Sequence, residues 1–265
     1  MDSKPSKFMS EVRSKRPLVH HITNYVTVND CANICICAGG SPVMTDAIED
    51  VEDMVFMAGA LVLNIGTLNT RINASMLVAG KAAKSAGVPV ILDPVGMGAT
   101  PFRNRTVEEI IRRVEPDVIK GNQGEMGVLS GAGGDVKGVD SHGASGDMVD
   151  IVRGIAERFG CIAAATGEQD YISDGSRTVR LSNGHNLLSA VSGTGCMVSS
   201  VTGCYIGANG PSVDSVAAAI SAFNISAEFA ARASKGPGTF KAALFDAVYN
   251  LSGDDLDSMI KEESL

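Results

Sequence analysis

The sequence predicts an α/β fold: a mostly parallel central sheet covered by helices on both faces, with a short antiparallel edge. Three observations predict the sheet. Four short apolar runs each end in a polar or glycine cluster: Ala60-Leu-Val-Leu-Asn64-Ile-Gly66-Thr67, Val88-Pro-Val-Ile-Leu-Asp93-Pro94-Val95-Gly96, Asp117-Val-Ile-Lys120-Gly121-Asn122-Gln-Gly-Glu125 and Cys161-Ile-Ala-Ala-Ala-Thr166-Gly167-Glu168. Helical stretches near 70–86, 106–115, 122–130 and 147–159 alternate with them, and near-continuous apolar strands between amphipathic helices belong to a parallel sheet buried on both faces. After Gly167 the period changes, and Tyr171-Ile-Ser-Asp174-Gly175-Ser-Arg-Thr-Val-Arg-Leu reads as a hairpin on an Asp-Gly turn, which supplies the antiparallel edge.

The remaining segments follow in chain order. Residues 1–18 carry scattered Lys and Arg and read as a surface arm or helix. His20 and His21 fall on opposite faces if extended, which argues against a two-histidine metal site and for structural roles. Val28 to Ala38 is apolar at helical spacing and stops at Gly39-Gly40, after which Ser41 to Met44 is irregular or extended. Thr106-Val-Glu-Glu109 has the form of a capping box and is expected to start a helix. Ser130 to Gly146 is glycine-rich without the order of a Walker loop and is expected to be a flexible connection. Ser182-Asn183-Gly184-His185 is a second turn, and helices are expected near 196–208, 212–234 and 239–251, ahead of an acidic tail expected to fray. No repeat or linker divides residues 1–265, so one domain is expected.

Composition sets bounds. A chain of 265 residues buries about 70–75% of its unfolded surface, so neither a disulfide nor a structural metal is required. The six cysteines lack paired CxxC spacing, and Cys31, Cys35 and Cys37 are expected to pack as small hydrophobes in a helix. No apolar run approaches the roughly 18 residues of a membrane span, and the N-terminus lacks a secretory apolar stretch, so a cytoplasmic location is expected. A net charge of -8 and the absence of Trp argue against a nucleic-acid partner.

The chemistry centres on Val191-Ser-Gly193-Thr194-Gly195-Cys196, a glycine turn running into a small-residue helix. Glycines beside Thr194 allow close backbone approach, and the helix start offers unpaired N–H groups and a positive dipole end to an anion. Tight helix packing alone would use the same glycines, and this stretch leaves the two readings open. Asp93 and Glu125 each follow a strand and meet at the ligand edge, where together they could bind Mg²⁺ directly or through waters. Lys120 is placed to reach a nucleotide phosphate, with the hydroxyl of Thr166 and the backbone N–H of Gly167 beside it. Met44 suits either core filling or the apolar wall of a small pocket.

In order along the chain, Gly40-Ser41-Pro42-Val43-Met44, Asn64-Ile65-Gly66-Thr67, Asp93 to Thr100, Gly121-Asn122 with Glu125, Gly138-Val139-Asp140-Ser141, Thr166 to Tyr171 and Gly193-Thr194-Gly195-Cys196 resemble the hydroxyethylthiazole kinase family of the ribokinase-like superfamily. The resemblance spans residues 17–250. It implies ATP- and Mg²⁺-dependent phosphorylation of the primary alcohol of 4-methyl-5-(2-hydroxyethyl)thiazole in thiamine salvage, by a homotrimer with active sites between subunits. By motif position it implies thiazole contacts at Met44 and Gly193, with Asn24, Gly66 and Thr194 around them. It implies ATP contacts at Lys120, Gly121, Thr166 and Gly167, and metal contacts at Asp93 and Glu125. Lys120 stands where some relatives have Arg, without the bidentate grip of a guanidinium. Cys196 takes the place of the superfamily's usual aspartate base, and a helix N-terminus is expected to lower its thiol pKa from about 8.5 far enough for partial thiolate at neutral pH.

Three alternatives stay open on the residues. One is another small-alcohol or pyrimidine kinase, or an ATP-dependent hydrate dehydratase, on the same scaffold. A second is a nucleotide-binding regulator without turnover. The last treats Cys196 as the nucleophile of an acyl or thiol transferase, although no histidine is placed by sequence to activate it.

Overall fold

In the computed structural model, residues 1, 3–131 and 147–265 are described. The glycine-rich stretch expected to be a flexible connection, with Gly138-Val139-Asp140-Ser141, falls mostly outside them.

The strands are β1 (Leu18–Ile22), β2 (Ser41–Met44), β3 (Ala60–Asn64), β4 (Val90–Asp93), β5 (Val118–Asn122), β6 (Ile162–Thr166), β7 (Asp170–Ser173), β8 (Thr178–Leu181) and β9 (Glu262–Ser264). They form one sheet in the order β2-β1-β3-β4-β5-β6-β7-β8-β9. Pairing is parallel from β2 through β6 and antiparallel from β6 to β9. The mostly parallel sheet and its antiparallel edge are as the residue pattern predicts.

Alternation along each strand divides the core in two. Val62 and Ile91 point to a layer built from α1 (Pro5–Lys15), α2 (Val28–Ala38), α8 (Thr194–Asn209), α9 (Val213–Ala233), α10 (Pro237–Asn250) and α11 (Gly253–Met259). Leu61, Leu63 and Leu92 point the other way, against α3 (Val51–Met57), α4 (Thr70–Ala86), α5 (Pro101–Val114), α6 (Gln123–Ser130) and α7 (Met148–Phe159). α8 lies deepest, its first twelve residues beyond Gly195 mostly buried, because Gly203 and Gly207 let it approach the sheet closely: a Cβ on Gly203 would meet Val19 and Val62 at 2.9 Å.

Two local expectations are corrected. Thr106 does not begin a helix; it is buried inside α5, which starts at Pro101 under the Thr100 hydroxyl cap. Proline at the first helical position, preceded by threonine, is the stronger start signal. The acidic tail does not fray into solvent, since it forms α11 and then β9, paired with β8. Of the arm or helix expected at the N-terminus the structure shows the helix: residues 5–15 form α1, docked with Met9 and Val12 in the core. Cys31 and Cys35 pack as expected, Cys37 is half-buried, and all six cysteines are free.

Candidate active site

Period-2 alternation decides which polar side chains meet. Val19, Val62, Ile91, Val118 and Ala164 face the α8 layer. Two residues further along the same strands, His21, Asn64, Asp93, Lys120 and Thr166 therefore face it too, at the carboxyl edge of the sheet. The register sets Asn64 beside Asp93 and Asn122 beside Thr166.

The start of α8 stands over this row. Its N-cap is Gly193, at φ 89°, and no side chain caps the first turn, so its N–H groups face outward unclaimed by a capping hydroxyl. The two glycines differ. A Cβ on Gly193 would lie 2.3 Å from Thr27 Cγ2 in a left-handed conformation, whereas a Cβ on Gly195 would meet nothing nearer than Lys120 Nζ at 3.7 Å. The Thr194 hydroxyl is turned back, donating to the Leu188 carbonyl at 2.9 Å.

Beneath the turn, Lys120 Nζ donates to Gly195 O at 2.9 Å, Ser199 Oγ at 3.2 Å and Asp93 Oδ2 at 3.4 Å. Ser199 Oγ and Asn64 Nδ2 reach the same Asp93 oxygen, at 2.6 and 2.9 Å, so none of these donors uses Oδ1. Burial opposes the Lys120 charge, but Asp93 foremost, then Cys196 and Glu125, raise its pKa above the ordinary lysine value. Cys196 Sγ accepts from the amides of Asn24 and Asn64, each at 3.3 Å. Asn24 also receives Thr27 N–H and hydroxyl on Oδ1, and Asn64 Oδ1 receives Gly66 N–H at 2.9 Å.

The expected thiolate at Cys196 is corrected. Burial and the Asp93 charge push its pKa up, and this outweighs Lys120 and the hydrogen bonds. At neutral pH the site holds a thiol.

Glu125 caps α6 reciprocally with Asn122 and holds the next turn as well: Oε1 accepts Gly96 N–H at 2.7 Å and Oε2 accepts Asn122 N–H at 2.8 Å. Burial and Asp93 raise its pKa against those bonds. No group of three or more His, Cys, Asp or Glu able to hold a metal occurs among the described residues. Glu125 keeps one lone pair on each oxygen and Asp93 keeps Oδ1, a donor set that suits a hydrated Mg²⁺ shared with substrate phosphates better than a closed cage.

Other expected site residues sit around this centre. Met44 ends the outermost strand β2, half-buried and in register with His21. A Cβ on Gly66 would press on Asn24 at 2.9 Å. Thr166 donates to Gly121 O at 3.3 Å. Gly167, expected beside the nucleotide, has its N–H bonded to Asp170 Oδ1 at 3.0 Å. Three further residues build the site. Asn64 links Cys196 to Asp93, Ser199 completes the Lys120 cage, and Arg103 donates to Ile65 O, Val95 O and Gly66 O at 2.7–2.9 Å, tying two edge turns together.

A parallel sheet whose carboxyl edge sets an Asp–Lys pair and a thiol under an open glycine turn is the arrangement of a phosphotransferase on a ribokinase-like fold, and the family match bears this out. The profile of the hydroxyethylthiazole kinase family matches residues 9–254, and the chain belongs to that family. It is 50% identical to hydroxyethylthiazole kinase of Methanocella arvoryzae over 97% of this chain and 96% of the relative, and 50% identical to that of Methanoculleus marisnigri over 95% and 90%. The solved structure of the Pyrococcus horikoshii OT3 hydroxyethylthiazole kinase protein superposes with a TM-score of 0.91 at 39% identity, covering 98% of both chains. A Staphylococcus aureus pyridoxal kinase solved with ADP shares the fold, at a TM-score of 0.58 and 16% identity over 80% of this chain and 87% of that one. Among the described residues no helix is long and apolar enough to cross a membrane.

Proposed function

We propose that this chain transfers the γ-phosphoryl group of ATP to the primary alcohol of 4-methyl-5-(2-hydroxyethyl)thiazole, a thiamine salvage step carried out in the cytoplasm. The observation that carries the reading is the open first turn of α8 beside Cys196 in a chain of this family. Met44, Asn24, Gly66, Gly193 and Thr194 surround the thiazole in this reading. Lys120, Gly121, Thr166 and Gly167 form the nucleotide side. Because all three Lys120 N–H donors are engaged, its contribution is positive potential under the turn and the placing of Gly195; direct contact with a phosphate requires it to release one partner. Asp93 and Glu125 would hold Mg²⁺, which would supply charge neutralisation for the phosphates.

Cys196 acts as a positioned thiol. Phosphoryl transfer through a loose transition state depends on alignment and charge stabilisation, and the alcohol proton leaves late. The Asn24 and Asn64 amides fix Sγ beside the acceptor hydroxyl, while the N–H groups of the α8 start stabilise the phosphoryl oxygens. A homotrimer with sites between subunits would cover exposed apolar side chains such as Tyr25, Val26, Phe56 and Met57.

The test is ADP release by purified protein with ATP and Mg²⁺, with and without hydroxyethylthiazole, using a hydroxymethylpyrimidine and a sugar as controls. Thiazole-dependent ADP and thiazole phosphate are expected. Turnover with the pyrimidine alone, or nucleotide binding without turnover on any alcohol, would overturn the substrate.

A further inference from the structure

The turn after β6 contains a buried carboxylate that the chemistry above does not use. Asp170 opens β7 and is 3% exposed. Its Oδ1 accepts Gly167 N–H at 3.0 Å and its Oδ2 accepts Asn224 Nδ2, on α9, at 2.7 Å. It has no ion-pair partner among the described residues, and burial drives its pKa up to about 7 against the pull of Gly167, Asn224 and Lys120. A carboxylate so placed opposes folding at neutral pH, so stability alone gives no reason for it.

Its geometry does give one. Gly167 follows Thr166 directly, so a bond to its N–H fixes the peptide plane that carries the Thr166 carbonyl. The far side of the turn is held by Gln123, whose Nε2 donates to Gln169 O at 3.0 Å and would lie 2.6 Å from a Cβ on Gly167. One helical turn beyond Asn224, Glu228 accepts Asn183 Nδ2 at 2.9 Å and Gly184 N–H at 3.1 Å. One face of α9 therefore holds two neighbouring edge turns, and a cleft of about 400 Å³ lined by Gly184, His185, Glu228 and Arg232 lies against it.

We infer that Asp170 is a positioning residue for the nucleotide: by holding Gly167 N–H it sets the Thr166–Gly167 turn against ATP, and Asn224 ties that setting to α9. The inference rests on the nucleotide-side reading of Thr166. It acts through hydrogen bonds and not through charge, which makes the conservative variant decisive. In Asp170→Asn the amide oxygen still accepts from Gly167, and Asn224 turns over to accept the new N–H.

The experiment compares Asp170→Ala, Asp170→Asn and Thr166→Val by calorimetric ATP binding, by steady-state kinetics and by amide hydrogen exchange at Gly167. For Asp170→Ala we expect an ATP Kd and KM raised about tenfold, the size of one lost hydrogen bond, with the thiazole KM within about twofold of wild type and faster exchange at Gly167. Asp170→Asn is expected to restore ATP binding to within about threefold and to unfold at or above the wild-type temperature. A parallel rise in both KM values, or no rescue by asparagine, marks a merely structural residue and overturns the inference. Weakened ATP binding in Thr166→Val with none in Asp170→Ala overturns the part given to Asp170 alone; no effect in either overturns the nucleotide-side reading itself. If Asp170→Ala does not fold, Asn224→Ala takes its place: an unchanged ATP KM there removes the tie to α9.

Discussion

Lys120 Nζ donates to the carbonyl oxygen of Gly195 at 2.9 Å, so an ammonium on β5 holds the first turn of α8 from beneath. Its charge is balanced by Asp93 with both side chains almost fully buried. Removing one partner of such a pair leaves an uncompensated buried charge. Lys120→Met should therefore cost about 3–5 kcal/mol in urea unfolding and abolish turnover. Adding Asp93→Asn should recover most of that stability and none of the activity. A double variant no more stable than the single one would show that the two charges are not coupled in the folded state.

The two turn glycines should separate fold from chemistry. Gly193→Ala forces a Cβ into Thr27 at a left-handed position, and both the melting temperature and turnover should fall. Gly195→Ala adds a Cβ to open space, so the melting temperature should stay within about 2 °C of wild type, a change well under 1 kcal/mol. That Cβ still crowds the anion-facing turn, and kcat/KM for ATP should fall about 10²-fold, the scale of one lost oxyanion donor. Unchanged kinetics in Gly195→Ala would remove the phosphoryl group from this turn.

Cys196 yields a pH prediction with a definite sign. If a resting thiolate were the required base, kcat would rise about tenfold per pH unit toward the thiol's raised pKa. A positioned thiol instead gives a nearly flat kcat from pH 7 to 8.5, which is the profile we expect. Cys196→Ser should lower kcat by no more than about tenfold, because the Asn24 and Asn64 amides still find an acceptor. Cys196→Asp should stay active, its carboxylate receiving the same two amides with Lys120 nearby. A steep alkaline rise in the wild type would restore the base.

The four apolar runs that end in Asn64, Asp93, Asn122 and Thr166 made the sheet legible, because burial on both faces leaves few residue types for such strands. The same pattern announced the edge where the site lies. Asn64 carried the same signal as Asp93, a polar residue closing an apolar strand, yet its place between Asp93 and Cys196 depends on strand register, which local pattern does not reveal. Ser199 is one small residue in a helix full of them, and only its place over Lys120 and Asp93 distinguishes it. The Cys196 pKa is not legible in the sequence, because the helix dipole can be read there whereas burial and the nearby Asp93 charge arise only when the chain folds. β9 escaped notice because three polar residues at a sheet edge carry no apolar alternation.

His21 supplies the last prediction. It is fully buried between the Val19 carbonyl and Ser200 Oγ, and burial lowers its pKa to about 4. The folded pKa lies below the unfolded value of about 6.5, so between pH 6.5 and 4 the unfolded chain binds a proton that the folded chain refuses. Stability is therefore lost on acidification through that window, by on the order of 3 kcal/mol from this residue. Asp170 has the opposite sign: with a folded pKa of about 7, the folded chain binds the extra proton, and stability rises as pH falls from 7 toward 4. The two slopes oppose each other, and His20, also lowered by burial, and Glu125, also raised by burial, add one to each side. The wild-type profile thus hides both, and the difference between variants exposes them. Relative to wild type, His21→Gln should gain stability as pH drops from 6.5 to 4, whereas Asp170→Asn should lose it. Urea unfolding at pH 4.5, 5.5 and 6.5 measures both differences, and parallel profiles for the three proteins would show that neither group titrates as its burial requires.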